Sequence, residues 1–186
     1  MNAFIRLAIA SSLTMLINPC AVAQASAQGE GVVTLGGRVV DSACGLELAS
    51  VDQAIEMNPE PIGRLLRNAR GEIHPFQLRL VNCSLTRPDP LRPGVSLPDW
   101  QHLRVMFDAP TDRAGRSFAL FGGSQGVALH IADAAGQESV PGVPMALLAL
   151  VEGDMTLHYT LWLVGNGSPL AAGPHSAAVR FKLEYF

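Results

Sequence analysis

The sequence predicts an all-β, antiparallel sandwich, on three observations. Apolar residues alternate with polar ones in most segments. Turn-forming clusters separate those segments at short intervals, and two cysteines far apart remain after an export signal. With 186 residues, the chain fits one domain of ordinary size once the signal is removed.

The signal comes first. Arg6 supplies a positive start, Leu7 to Ile17 is an apolar run, and small residues follow at Ala21, Ala23, Ala25 and Ala27. The run is too short for a transmembrane helix, and residues 1–25 are expected to be cleaved off. Alternation then begins at Val33 and Leu35 and resumes at Val39 beyond Gly36 and Gly37. Ile62 to Ala69 is the only stretch with helical character. Pro75 to Cys83 puts Phe76, Leu78 and Leu80 on one face. Leu103, Val105 and Phe107 alternate next, followed by Val127, Leu129 and Ile131. The longest pattern places Met155, Leu157, Tyr159, Leu161 and Leu163 on one face, and Ala177, Val179, Phe181, Leu183 and Tyr185 close the chain. Clean alternation means one face in the core and one facing out, so His130 and His158, both on polar positions, are expected to face solvent. Arg87 to Asp99 carries four prolines and is expected to be a long surface loop.

Composition narrows the function. Net charge is −3 and there is no basic stripe, so nucleic-acid binding lacks an electrostatic footprint. Charged residues are 16% of the chain, against about 25% in an average soluble domain. So few charges fit either a compact β core or a surface reserved for partners. Cys20 leaves with the signal. Cys44 and Cys83 remain, an even pair for an oxidising compartment, with neither a zinc spacing nor a CxxC. A disulfide between them closes a loop of about 40 residues, which chain entropy values at roughly 4 kcal/mol.

Enzyme signals are weak. Gly122 to Gly126 matches a G-x-S-x-G nucleophile elbow around Ser124, with Asp133 and His158 following in hydrolase order. That elbow needs a strand-to-helix turn, and a strand pattern follows instead. The five histidines have no ligand spacing, so neither a metal nor a cofactor is expected.

These segments resemble the pilin subunits of chaperone–usher pili, the type 1 and P-type fimbriae. Tyr185 is penultimate, Gly173 is the fourteenth residue from the end, and Ala177, Val179, Phe181 and Leu183 alternate between them. Gly37–Cys44, Pro75–Cys83 and Gly126–Gly136 are similar to further strands of that family. The segments Cys44–Cys83 and Tyr159–Gly173 also resemble its terminator subunits, which points to a minor subunit. The resemblance implies an immunoglobulin-like sandwich lacking its final strand, completed by a donated one. It implies that residues 26–36 form a donor extension with Gly29, Gly31, Val33 and Leu35 on one parity, ahead of a pilin domain at 37–186. It implies that Gly173, Ala177, Val179, Phe181, Leu183 and Tyr185 form the chaperone-binding strand. The expected partners are a periplasmic chaperone, an outer-membrane usher and neighbouring subunits, and the expected destination is a cell-surface fimbrium for adhesion. The alternative is a self-contained exported immunoglobulin-like module that binds sugar.

Overall fold

The computed structural model describes residues 31–37 and 39–186, so the expected signal and Gly29 lie outside the described residues. The chain divides into two units, Met1–Val39 and Val40–Phe186. In the first, residues 31–37 and Val39 have no regular structure, and Val33 and Leu35 are 95% exposed. Alternation there suits a strand, but a strand needs a neighbour for its backbone groups.

The second unit is a sandwich. Its four-stranded sheet runs β1 (Gly45–Leu46), β2 (His74–Cys83), β9 (Gly153–Gly165), β7 (Val127–Asp133), all antiparallel. Facing it is a three-stranded sheet, β11 (Arg180–Tyr185), β5 (His102–Asp108), β8 (Leu148–Ala149). The alternating residues interdigitate between them. Leu78, Leu80, Leu103, Val105 and Phe118 are almost wholly buried. Phe107 of β5 meets Tyr159 of β9 edge-on at 5.0 Å, and Tyr159 stacks on Phe76 of β2 at 5.4 Å. Aromatic pairs of this geometry add about 0.5–1.5 kcal/mol beyond the area they bury. Cys44 and Cys83 form a disulfide that ties the entrance of β1 to the end of β2.

Shorter elements fill the connections. Helices α1 (Leu48–Val51) and α2 (Ile62–Asn68) precede β2, and the second occupies the stretch expected to be helical. Two sequence expectations need correcting. Gly37–Cys44 forms no strand over its described residues; the first strand is the two-residue β1 beyond it. Arg87–Asp99 is not a plain loop but a hairpin of β3 (Arg87–Pro88) and β4 (Ser96–Leu97). Asp89 closes its turn by accepting from the Leu91 backbone N–H at 2.9 Å and from Arg92 Nε at 2.6 Å.

At one end, β6 (Phe121–Gly122) pairs with β10 (His175–Ser176). A Cβ on Gly173 would lie 2.4 Å from the Gly123 carbonyl carbon, so only glycine permits this backbone-on-backbone approach. Ala69, by contrast, ends α2 in the left-handed region (φ 59°), where glycine is at ease and alanine is not. Gly173→Ala is therefore expected to destabilise by about 1–3 kcal/mol. Ala69→Gly is expected to stabilise by up to about 1 kcal/mol. Chemical denaturation of the two variants checks the opposite signs.

Candidate functional site, an open sheet edge

Among the described residues, the last strand, β11, is bonded on one side only. Phe186 and His102 exchange both backbone hydrogen bonds, at 2.9 and 3.0 Å. From there the pairing runs without a slip through Tyr185↔Leu103, Glu184↔Arg104, Leu183↔Val105, Lys182↔Met106 and Phe181↔Phe107. In an antiparallel ladder, bonded pairs recur at every second residue. Glu184 and Lys182 therefore bond to β5, while Tyr185, Leu183 and Phe181 aim N–H and C=O at the unpaired edge.

Side chains tell the same story. Leu103, Val105 and Phe107 on β5 are at most 2% exposed. Their register partners Tyr185, Leu183 and Phe181 point to the same interior, yet each is only half-buried. Both deficits, in backbone partners and in apolar cover, fall on the same three residues. One added strand along β11 would remove both.

Two further edges are covered. The far side of β5 accepts from Gly142, Met145 and Leu150, with Gly142 N–H to Phe107 O at 2.8 Å, Met145 N–H to Val105 O at 2.8 Å and Leu150 N–H to Gln101 O at 2.9 Å. The far side of β7 is covered by Phe118, which exchanges two 2.9 Å bonds with Leu129, and by Ser139 donating to Ile131.

Outward residues pin β11 to β5. Arg104 Nε donates to Glu184 Oε2 at 2.7 Å, Lys182 Nζ to Glu184 Oε1 at 2.8 Å, and Arg180 to Asp108 at 3.2 Å. Lys182 first, then Arg104, hold the Glu184 carboxyl below the usual carboxylate range. Burial pushes the Tyr185 phenol up.

Of the residues expected to bind a chaperone, Phe181, Leu183 and Tyr185 lie in β11. Val179 precedes it and packs on the core, Ala177 is exposed, and Gly173 sits at the close approach before β10. Among the expected donor residues, Gly31, Val33 and Leu35 are exposed.

The hydrolase constellation does not assemble. Ser124 precedes β7 and Asp133 ends it, which separates them by about 20 Å at strand rise. His158 is exposed on β9, as expected. His130 is a correction, because segments 117–118 and 137–139 cover the outer face of β7. Its Nε2 lies 2.8 Å from Ser117 Oγ and its Nδ1 3.2 Å from Glu138, beside the Trp162 ring. This hydroxyl–imidazole–carboxylate chain escaped the sequence, since its members come from three separate segments. Ser117 is 7% exposed, so the hydroxyl is closed to a substrate and the chain serves as a packed polar clasp.

A sandwich with one open edge and half-covered core residues along it belongs to the class of strand-accepting subunits. The chain is 33% identical to the PRS fimbrial minor pilin protein of Escherichia coli over 84% of its own length and 77% of that protein's. It is 32% identical, at the same coverage, to the PAP fimbrial minor pilin protein of Escherichia coli. Among solved structures, a chaperone–usher pilus studied for rod uncoiling matches at 26% identity and TM-score 0.68, covering 86% of this chain and 97% of that one. The P pilus rod subunit PapA shares the fold, with TM-score 0.63 at 21% identity, over 78% of this chain and 100% of that one. No protein-family profile matches. The chain belongs to the fimbrial pilin family of chaperone–usher pili. It is a structural subunit, exported through the periplasm to a cell-surface fimbrium, and it works with chaperone, usher and neighbouring subunits.

A carboxyl whose pKa is depressed on folding adds stability that is complete above its unfolded pKa. That stability fades as pH falls through the folded value. Acidification is therefore expected to loosen β11 from β5, and Glu184→Gln to flatten this acid limb. Residue-resolved amide exchange at Lys182 and Glu184 across an acid titration checks both.

Proposed function

We propose that this chain is a minor pilus subunit that acts by giving and receiving a strand, without catalysis. In this assignment residues 1–25 are the export signal, 26–36 the donated strand and 37–186 the accepting domain. The observation that carries it is the edge of β11, where unpaired backbone groups and half-covered side chains coincide on Phe181, Leu183 and Tyr185. Fully burying an apolar side chain of this size is worth about 1.5–3 kcal/mol. Three such positions, together with the ladder bonds, suffice to decide whether the subunit stays folded. Val179, Ala177 and Gly173 extend the same accepting region toward β10.

The donor assignment draws support from the exposed, unpaired Gly31, Val33 and Leu35, with larger residues near the domain and glycine further out. Two relatives above 30% identity carry the description minor pilin, at 33% and 32%, while a major pilin of the PRS type matches at 29%. This favours a minor position in the fibre. A self-contained sugar-binding module would have its last strand paired on both sides, and among the described residues β11 is paired on one.

Assembled subunits are expected to run as ladders that survive denaturing detergent until heated. Deleting residues 26–36 should abolish the ladders this subunit initiates as donor. Phe181→Glu, which buries an unpaired carboxylate under the incoming strand at several kcal/mol, should abolish those it forms as acceptor. A soluble monomer indifferent to both changes would contradict the proposal.

A further inference from the structure

The point where the chain enters the sandwich is held by a device that strand exchange alone does not require. Asp41 is the first residue in chain order, among those described, whose side chain makes an ion pair. Its Oδ2 accepts from Arg87 Nη2 at 2.5 Å. The Arg87 guanidinium sits over the Trp100 ring, its central carbon 4.1 Å from the centroid, and its Nε is buried without an acceptor. Stacking and the single ion pair therefore fix the group together. Trp100 is 9% exposed, its backbone N–H donates to Leu85 O at 2.8 Å, and its ring meets Tyr185 edge-on at 6.1 Å. Asp41, Trp100, Tyr185 and Phe186 line one open hollow of about 380 Å³. The root of the extension is thus anchored beside the end of the accepting strand.

We propose that Asp41, Arg87 and Trp100 form a clamp that fixes the direction in which the N-terminal extension leaves the sandwich, and with it the set of one subunit against the next. The inference rests on residues 26–36 being the donated strand. With Asp41 held, four residues, 37–40, link the donated strand to the domain. With Asp41 released, the next anchors are the buried Ala43 and the disulfide at Cys44, and the link lengthens to six residues, 37–42. For a flexible chain, the root-mean-square reach then grows from about 11 to about 13 Å, a gain of about one fifth. Arg87 and Asp41 are positioning residues, since neither lies in the accepting strand.

The test uses two consecutive subunits of the full mature chain joined by strand exchange, with one spin label on each. Pulsed dipolar spectroscopy then reads the spread of distances between them. Arg87→Ala is expected to broaden that spread by about one fifth or more. Asp41→Asn, which leaves the stack on Trp100 in place, should broaden it too. Arg87→Lys keeps the charge but not the guanidinium over the ring and should fall between. The detergent resistance of the joined pair should be unchanged in all three. Equal spreads in the unmutated pair and in both Arg87→Ala and Asp41→Asn would overturn the clamp while leaving the donor assignment standing. Failure of the unmutated chain to form joined pairs would overturn the donor assignment, and the clamp with it.

Discussion

Everything distinctive about this molecule follows from one unpaired strand edge. A β-strand inside a sandwich owes hydrogen bonds on both sides and apolar cover on its inner face. Among the described residues, β11 receives bonds from β5 and none from the other side, and its inner side chains receive cover from the core but not from a neighbour. Such an edge is an aggregation hazard unless a particular partner closes it. The same physics that makes the isolated fold incomplete gives it a specific appetite for one extended segment.

Elsewhere the long strands next to this edge are covered on their far sides. The segment from Gly142 to Leu150 seals the far side of β5, and Phe118 with Ser139 seals β7. The disulfide fastens the start of β1 to the end of β2, where the four-stranded sheet would otherwise begin with only two residues. On the outer face, Arg104, Glu184, Lys182, Arg180 and Asp108 stitch β11 to β5. Exposed ion pairs of this kind are individually weak. Their placement in ladder register keeps the accepting strand in position while its other side waits.

Much of this was legible in the sequence. The alternations at Phe76–Leu80, Leu103–Phe107, Leu157–Leu163 and Phe181–Tyr185 became β2, β5, β9 and β11 because period two survives wherever one face meets the core. It failed at Gly37–Cys44, where the pattern is present but no neighbouring strand supplies bonds. Proline suppressed the expectation of β3 and β4, although Pro88 sits in a two-residue edge strand that tolerates it. His130 was misjudged because parity says which way a side chain points, not what covers it. The open edge itself could be reached only through resemblance, since nothing in Val179–Tyr185 says that a neighbour is missing. The Asp41–Arg87–Trp100 group left no pattern at all, its members lying up to 59 positions apart.

The central claim is that Phe181, Leu183 and Tyr185 carry the free side of the accepting strand. Residue-resolved amide exchange tests it most directly, comparing the subunit lacking residues 26–36 before and after a peptide of those residues is added. The amides of Phe181, Leu183 and Tyr185 should exchange fast without the peptide and slowly with it, while those of Lys182 and Glu184 stay protected throughout. Protection of all five before the peptide arrives, or of none of the three after it binds, would contradict the claim.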